Sequence, residues 1–268
     1  MDRHFSVRRF VRSFGYDIVR SRSRHPQIDI DGIPPDISID DRETWEMVRE
    51  YTMTSPERVS SLCAAVRYVI NNNISGAIVE CGVWKGGSMM AAARTLMNHS
   101  ILDRDLFLFD TFTQMPPPNK NDIDFMGRSA DTLMAGAKSN SWLWARNSFQ
   151  ATRSNLLSVG YPEQRIHLVQ GLVEETIPHQ APSDIAILRL DTDWYSSTKH
   201  ELEHLFPRVA PYGVIIIDDY GHWLGAKRAV DEYFENHRIQ PLLHRIDYTG
   251  RIAIKLPNSK DSAQFLPS

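Results

Sequence analysis

The chain has 268 residues and a formal net charge of −3 at pH 7, which argues against a general nucleic-acid binder. It is 42% hydrophobic and 24% charged, ordinary for a soluble globular protein and enough for one large α/β domain with elaborations. Two cysteines and no long apolar run give no disulfide framework, zinc site or bilayer-spanning helix, so a reducing, cytoplasmic setting is expected.

Residues 1–54 read as an N-terminal helix, linker and arm. Arg3, Arg8, Arg9, Arg12, Arg20 and Arg22 are interleaved with Val7, Phe10, Val11, Phe14 and Ile18 at helical i, i+3, i+4 spacing. Such a basic amphipathic helix suits peripheral contact with an anionic membrane, or packing on the domain or on a second subunit. A homo-oligomer is expected, because arms of this kind commonly join subunits. A Pro-containing linker follows, then a helical stretch from Asp41 to Met53.

The domain proper is expected over residues 55–257, with 258–268 as a tail. Ser55-Pro56-Glu57 opens a helix to about Asn71, with Ser55 as N-cap and Pro56 at the first helical position. Ala77 to Glu80 is the first core strand. Gly86-Gly87-Ser88 turns it into a helix carrying Met89, Met90, Ala93 and Leu96. Leu106 to Asp110 is the second strand. A long insertion, about 112–145, reads as a lid or binding loop, with Trp142, Trp144 and the Met115-Pro116 turn as acceptor contacts. Ile166 to Gln170, Ile185 to Leu190 and Val214 to Ile217 are further strands. Strands alternating with helices predict a doubly wound, Rossmann-like α/β sheet, mostly parallel. Leu242–Asp247 and Arg251–Leu256, separated by Tyr248-Thr249-Gly250, read as a hairpin that adds an antiparallel strand.

Two of these strands end in paired acids, Asp191-Thr192-Asp193 and Asp218-Asp219. Parallel strands would gather the four carboxylates at one carboxyl edge, where ligands bind in open α/β folds. Four clustered acids repel one another unless a cation or proton relieves them, so a hard-metal site is expected. Glu80, at the end of the first strand, opens the glycine-containing segment Glu80-Cys81-Gly82-Val83-Trp84-Lys85-Gly86-Gly87-Ser88. Its spacing is neither that of a dinucleotide fingerprint nor that of a Walker loop. A carboxylate there repels a pyrophosphate but accepts hydrogen bonds from an ammonium group. Asp110 sits where nucleotide-binding folds grip a ribose diol. A cationic, adenosine-bearing ligand fits both acids, and S-adenosylmethionine is the common one.

The segment Glu80 to Gly87, Asp110-Thr111-Phe112 with Met115-Pro116, Leu190 to Thr198, and Ile217-Asp218-Asp219-Tyr220-Gly221 together resemble the macrocin O-methyltransferase (TylF/MycF-type) family. The resemblance spans about Pro56 to Leu256 in unbroken order, with Thr192 standing where a glycine is usual. It implies a class I, metal-dependent methyltransferase acting on sugar hydroxyls of natural products. Asp191, Asp218 and Asp219 would then hold Mg2+ or another hard divalent cation, and Asp193 would be the general base beside Asp191. Glu80, Gly82, Ser88, Asp110, Thr111, Gly171, Leu172 and Asp191 would contact S-adenosylmethionine. The acceptor would be a sugar-containing small molecule or a lipid-linked glycan. Other readings of the same residues are methylation of a catechol-like diol, a non-catalytic S-adenosylmethionine-binding scaffold, and a metal-dependent hydrolase. The four acids speak against the scaffold, and the Glu80 and Asp110 pair against phosphate chemistry. His222 and the indoles of Trp84, Trp194 and Trp223 are available as pocket walls, although each alone reads as surface or packing.

Overall fold

Runs rich in β-branched and aromatic side chains become the strands, because such residues fit a pleated, buried surface. In a computed structural model that describes residues 32–138 and 141–257, β1 (Ala77–Cys81), β2 (Leu106–Asp110), β3 (Ile166–Gln170), β4 (Ile185–Leu190) and β5 (Val209–Ile217) pair in parallel. β6 (His244–Arg245) and β7 (Arg251–Ile254) close the sheet, with β7 antiparallel to both β5 and β6. Among the described residues the strand order is β3-β2-β1-β4-β5-β7-β6. The sheet therefore reverses its winding between β1 and β4, the place where open α/β sheets leave a crevice. The basic amphipathic segment and the tail from residue 258 lie outside the described residues.

Helices cover both faces. On one side α2 (Pro56–Asn71) and α3 (Gly87–Asn98) bury Leu62, Val66, Met89, Met90 and Leu96 against Ile78, Ile187 and Ile216. On the other, α7 (Tyr195–Leu205) and α8 (Leu224–Asn236) bury Leu202, Leu205, Val230 and Phe234 against Val79, Leu188 and Ile215. The two sets alternate along each strand, as the two-residue period requires. Both methionines are core residues, as read from the sequence. Ser55 caps α2 by accepting from the Arg58 N–H at 3.2 Å, with Pro56 at the first helical position.

Several boundaries differ from the sequence reading, among them β5, which begins at Val209 and not at Val214. The compact unit begins at Ile37, ahead of residue 55, because α1 (Ile39–Val48) is part of it. That helix is mostly polar and packs through the buried Val48 and through polar contacts: Arg67 clamps the buried Asp41 at 2.6 and 2.8 Å, and Arg94 reaches Thr44 and Glu43. Hydrophobic periodicity has little to report in such an element. The hairpin keeps its turn but not its length. Asp247 leaves the ladder and accepts the Thr249 and Gly250 N–H groups at 2.9 and 2.7 Å, which ends β6 at Arg245. No helix among the described residues is long and apolar enough to cross a membrane.

Candidate active site

The carboxyl ends of β1, β4 and β5 meet at the winding reversal. Gly82, just past β1, has φ +83°, and a Cβ there would lie 1.9 Å from the Asp191 carbonyl oxygen. Only glycine lets the two strand ends approach this closely. The approach is fixed by hydrogen bonds from the Asp191 N–H to the Cys81 carbonyl and from the Asp218 N–H to the Leu190 carbonyl. Asp191, Asp218 and Asp219 are thereby brought together, with one oxygen from each lying within 4.8 Å of the others. Asp193 completes the group from a left-handed conformation, φ +63°, which aspartate tolerates better than most residues. Its N–H donates to Asp219 at 3.2 Å. All four acids line one cleft of about 960 Å³, at the upper end of the size range of ligand pockets.

Two arginines that sequence reasoning missed sit among these acids. Arg189, inside β4 and 2% exposed, donates to Asp191 at 2.6 Å, to Asp218 at 2.5 Å and to Glu80 at 2.6 Å. Arg58, from α2, bonds Asp218 and pairs with Asp247 at 3.0 Å. Asp247 also accepts from Ser55, and Thr249 donates to the Asp218 carbonyl at 2.7 Å, so the β6–β7 turn is tied to the same centre. Two guanidiniums face Glu80, Asp191, Asp193, Asp218 and Asp219, which leaves a surplus of negative charge. Each unrelieved carboxylate pair at this separation costs about 3 kcal/mol.

Burial pushes Asp191 and Asp219 well above the usual carboxylate range, with neighbouring carboxylates adding to the rise. Burial also pushes Asp193 up to about 7, opposed by hydrogen bonding to Asp219 and Trp223. Three converging hard oxygens with excess negative charge fit a divalent cation of the magnesium type. Among the described residues this is where three potential metal-binding side chains cluster.

The expected cofactor residues divide. Gly82, Ser88, Asp110, Thr111, Gly171, Leu172 and Asp191 all line the cleft, but the lining does not include Glu80. Glu80 is 1% exposed, with Oε1 held by Arg189 and Oε2 without a hydrogen-bond partner among the described residues. Its place beside Arg189 follows from the β1–β4 register, which sets those two residues side by side. Asp110 lines the cleft yet is heavily engaged by its own loop. Its Oδ2 accepts from the Val83 and Trp84 N–H groups at 2.7 and 2.9 Å, and its Oδ1 from the Phe112 N–H at 2.6 Å. These charge-assisted bonds shape the β1–α3 turn, in which Trp84 also adopts a positive φ. The N-terminus of α3, with the buried Ser88 lining the cleft, offers free N–H donors suited to a carboxylate.

The long insertion forms a wall. Asp122, fully buried, accepts from the Tyr195 N–H at 2.8 Å at the start of α7. Asp124 bridges to Trp223, the Leu224 N–H donates to the Ile123 carbonyl, and the Trp194 indole donates to the Pro116 carbonyl at 2.9 Å. Trp194 and Trp223 pack edge to face, with ring centroids 5.0 Å apart, and both are buried while lining the cleft. They are packing residues and walls at once. Trp144 belongs to the same apolar cluster, and the Trp142 side chain lies outside what is described. His222 also lines the cleft, with Nδ1 3.2 Å from the Tyr248 hydroxyl. Burial holds its pKa below the usual value.

Comparison with known proteins places this architecture. A curated relative from Streptomyces niveus, demethyldecarbamoylnovobiocin O-methyltransferase, is 32% identical over 200 residues, covering 75% of this chain and 74% of its own. Mycinamicin III 3''-O-methyltransferase from Micromonospora griseorubida is 28% identical, with 75% and 76% covered. Among solved structures, the O-methyltransferase NovP matches with a TM-score of 0.69 and 30% identity, over 77% of this chain and 83% of that one. The calicheamicin methyltransferase CalS11 shares the fold, with a TM-score of 0.58 and 19% identity over 80% and 91%. The family model described as macrocin-O-methyltransferase (TylF) matches residues 36–254, reaching back to the polar helix α1. With Asp191, Asp193, Asp218 and Asp219 gathered at its winding reversal, the chain belongs to the macrocin-O-methyltransferase (TylF) family of O-methyltransferases.

Proposed function

We propose that the protein methylates a sugar hydroxyl of a natural-product glycoside or glycan, using S-adenosylmethionine and a hard divalent cation. The observation that carries this reading is the convergence of Asp191, Asp218 and Asp219 within 4.8 Å at the floor of a cleft large enough for cofactor and acceptor together. Relatives named for sugar positions, including a rhamnosyl-tetracenomycin 4'-O-methyltransferase 31% identical over 207 residues and the mycinamicin III 3''-O-methyltransferase, support a sugar as acceptor.

S-adenosylmethionine supplies an electrophilic methyl group. A cation held by Asp191, Asp218 and Asp219 supplies Lewis-acid polarisation of a hydroxyl oxygen. The chain's own residues do the rest. Asp193, beside Asp219 in the same group, takes the hydroxyl proton, which needs an acceptor within hydrogen-bond reach. The α3 N-terminus, Ser88, Gly171 and Leu172 hold the cofactor along one side of the cleft. Trp194, Trp223 and the insertion wall hold the acceptor on the other side, and exclude water from the reacting centre. Alignment of oxygen, carbon and sulfur supplies much of the acceleration.

Asp193→Asn keeps the shape and removes the base, so kcat should fall about 10²- to 10⁴-fold with metal and S-adenosylmethionine affinities close to wild type. Asp191→Ala should abolish magnesium-dependent turnover while leaving S-adenosylmethionine binding, read by calorimetry, nearly intact. A loss of cofactor affinity as large as the loss of turnover would contradict this division of labour.

A further inference from the structure

Arg189 is a charged residue in a strand otherwise built of Ile, Ala and Leu, and it is 2% exposed. A charge in such a place is retained against a large desolvation cost, so its partners must account for it. They come from three adjacent strands. The β1–β4 register sets Glu80 beside Arg189, and the β4–β5 register sets Ile216 on its other flank, two residues before Asp218. One planar group thus holds Glu80 at 2.6 Å, Asp191 at 2.6 Å and Asp218 at 2.5 Å. A guanidinium fork fixes both the spacing and the plane of the carboxylates it binds, which an ammonium does not. Asp191 and Asp218 sit on separate strands and repel each other, so this fork sets their separation. Glu80 answers a different need. By pairing with the same Nη1 that holds Asp191, it offsets the guanidinium, so that Arg189 does not cancel the attraction of Asp191 and Asp218 for a hard cation.

We propose that Arg189 and Glu80 are a positioning pair for the cation, Arg189 setting the spacing of Asp191 and Asp218 and Glu80 holding and offsetting the guanidinium between them. Glu80 thereby serves the metal and not the cofactor ammonium. The inference rests on the metal-dependent reading given above.

The test uses the full chain and two separate affinities, Mn2+ by electron paramagnetic resonance of the free ion and S-adenosylmethionine by calorimetry. Glu80→Gln keeps the shape and removes the charge. It should weaken Mn2+ at least tenfold, the scale typical of residues that support metal ligands, with S-adenosylmethionine affinity within threefold of wild type. Arg189→Lys keeps the charge and loses the fork, and should weaken Mn2+ at least as much. Should Arg189→Lys fail to fold, Glu80→Gln decides alone. Loss of S-adenosylmethionine affinity in Glu80→Gln with Mn2+ binding retained would return Glu80 to the cofactor and overturn the proposal. Wild-type Mn2+ affinity in the variants would reduce the pair to core packing. A wild-type protein that binds no Mn2+ would instead overturn the metal reading, a distinct result.

Discussion

Thr192 lies between a proposed ligand and the proposed base, and its hydroxyl donates to Glu201 at 2.9 Å. Glu201 is fully buried, and its second oxygen finds no hydrogen-bond partner in the described protein. Burial pushes its pKa up to about 8, opposed by the Thr192 hydrogen bond. The sign of the consequence follows from linkage. An unfolded glutamate ionises near 4.5 whereas the folded one stays protonated, so stability is fully present below 4.5 and is lost as pH rises toward 8. Glu201→Gln keeps an acceptor for Thr192 and removes that loss. Its melting temperature should exceed wild type by about 10 °C at pH 8 and match it near pH 4. An equal gain at both pH values in thermal melts would show that ionisation of Glu201 is not the cause. At this same scale the sequence was most informative about the paired aspartates and least informative about Arg189. A single arginine in an apolar run declares its partners only once the parallel register is known, and register is not written in either strand alone.

At the scale of elements, strands and capped helices were legible because their patterns are local: β-branched runs, Ser55-Pro56, the glycines after Glu80. Helix α1 reads as part of the arm because its sequence is mostly polar, so its membership in the domain shows only in tertiary contacts, the buried Val48 and the pairs of Asp41 with Arg67 and Glu43 with Arg94. The insertion was legible by length but not by role. Length alone suits a closing lid, yet buried Asp122 and Asp124 tie it to the N-terminal ends of α7 and α8. Trp194, the residue before α7, makes no side-chain cap bond, and Asp122 reaches across to the Tyr195 N–H instead. Asp122→Ala should therefore cost about 1–2 kcal/mol, as loss of a helix cap does. It should raise the acceptor KM severalfold while S-adenosylmethionine affinity stays near wild type, because the wall faces the acceptor side. Steady-state kinetics with each substrate varied in turn, alongside thermal melts, checks both parts. A rise in the cofactor constant instead would place the wall on the wrong side of the cleft.

For the molecule as a whole, the sheet's winding reversal decides where chemistry occurs, and the charge balance there decides its kind. Gly82 brings β1 against β4, and the acids at the ends of β4 and β5 outnumber the guanidiniums of Arg58 and Arg189. The general design was visible in motif order before any coordinates, since acids at successive strand ends can only meet at one edge of a parallel sheet. The network behind them was not, because it joins residues as far apart in the chain as Arg58, Arg189 and Asp247. These acids are proposed to hold a cation essential for methyl transfer to a sugar. That role is tested most directly by following transfer of a labelled methyl group from S-adenosylmethionine to a panel of glycosides and simple catechols, with magnesium and with excess chelator. One or more glycosides should be methylated, with transfer abolished by chelator and restored by added magnesium, whereas undiminished transfer in chelator or transfer confined to the catechols would overturn the proposed function.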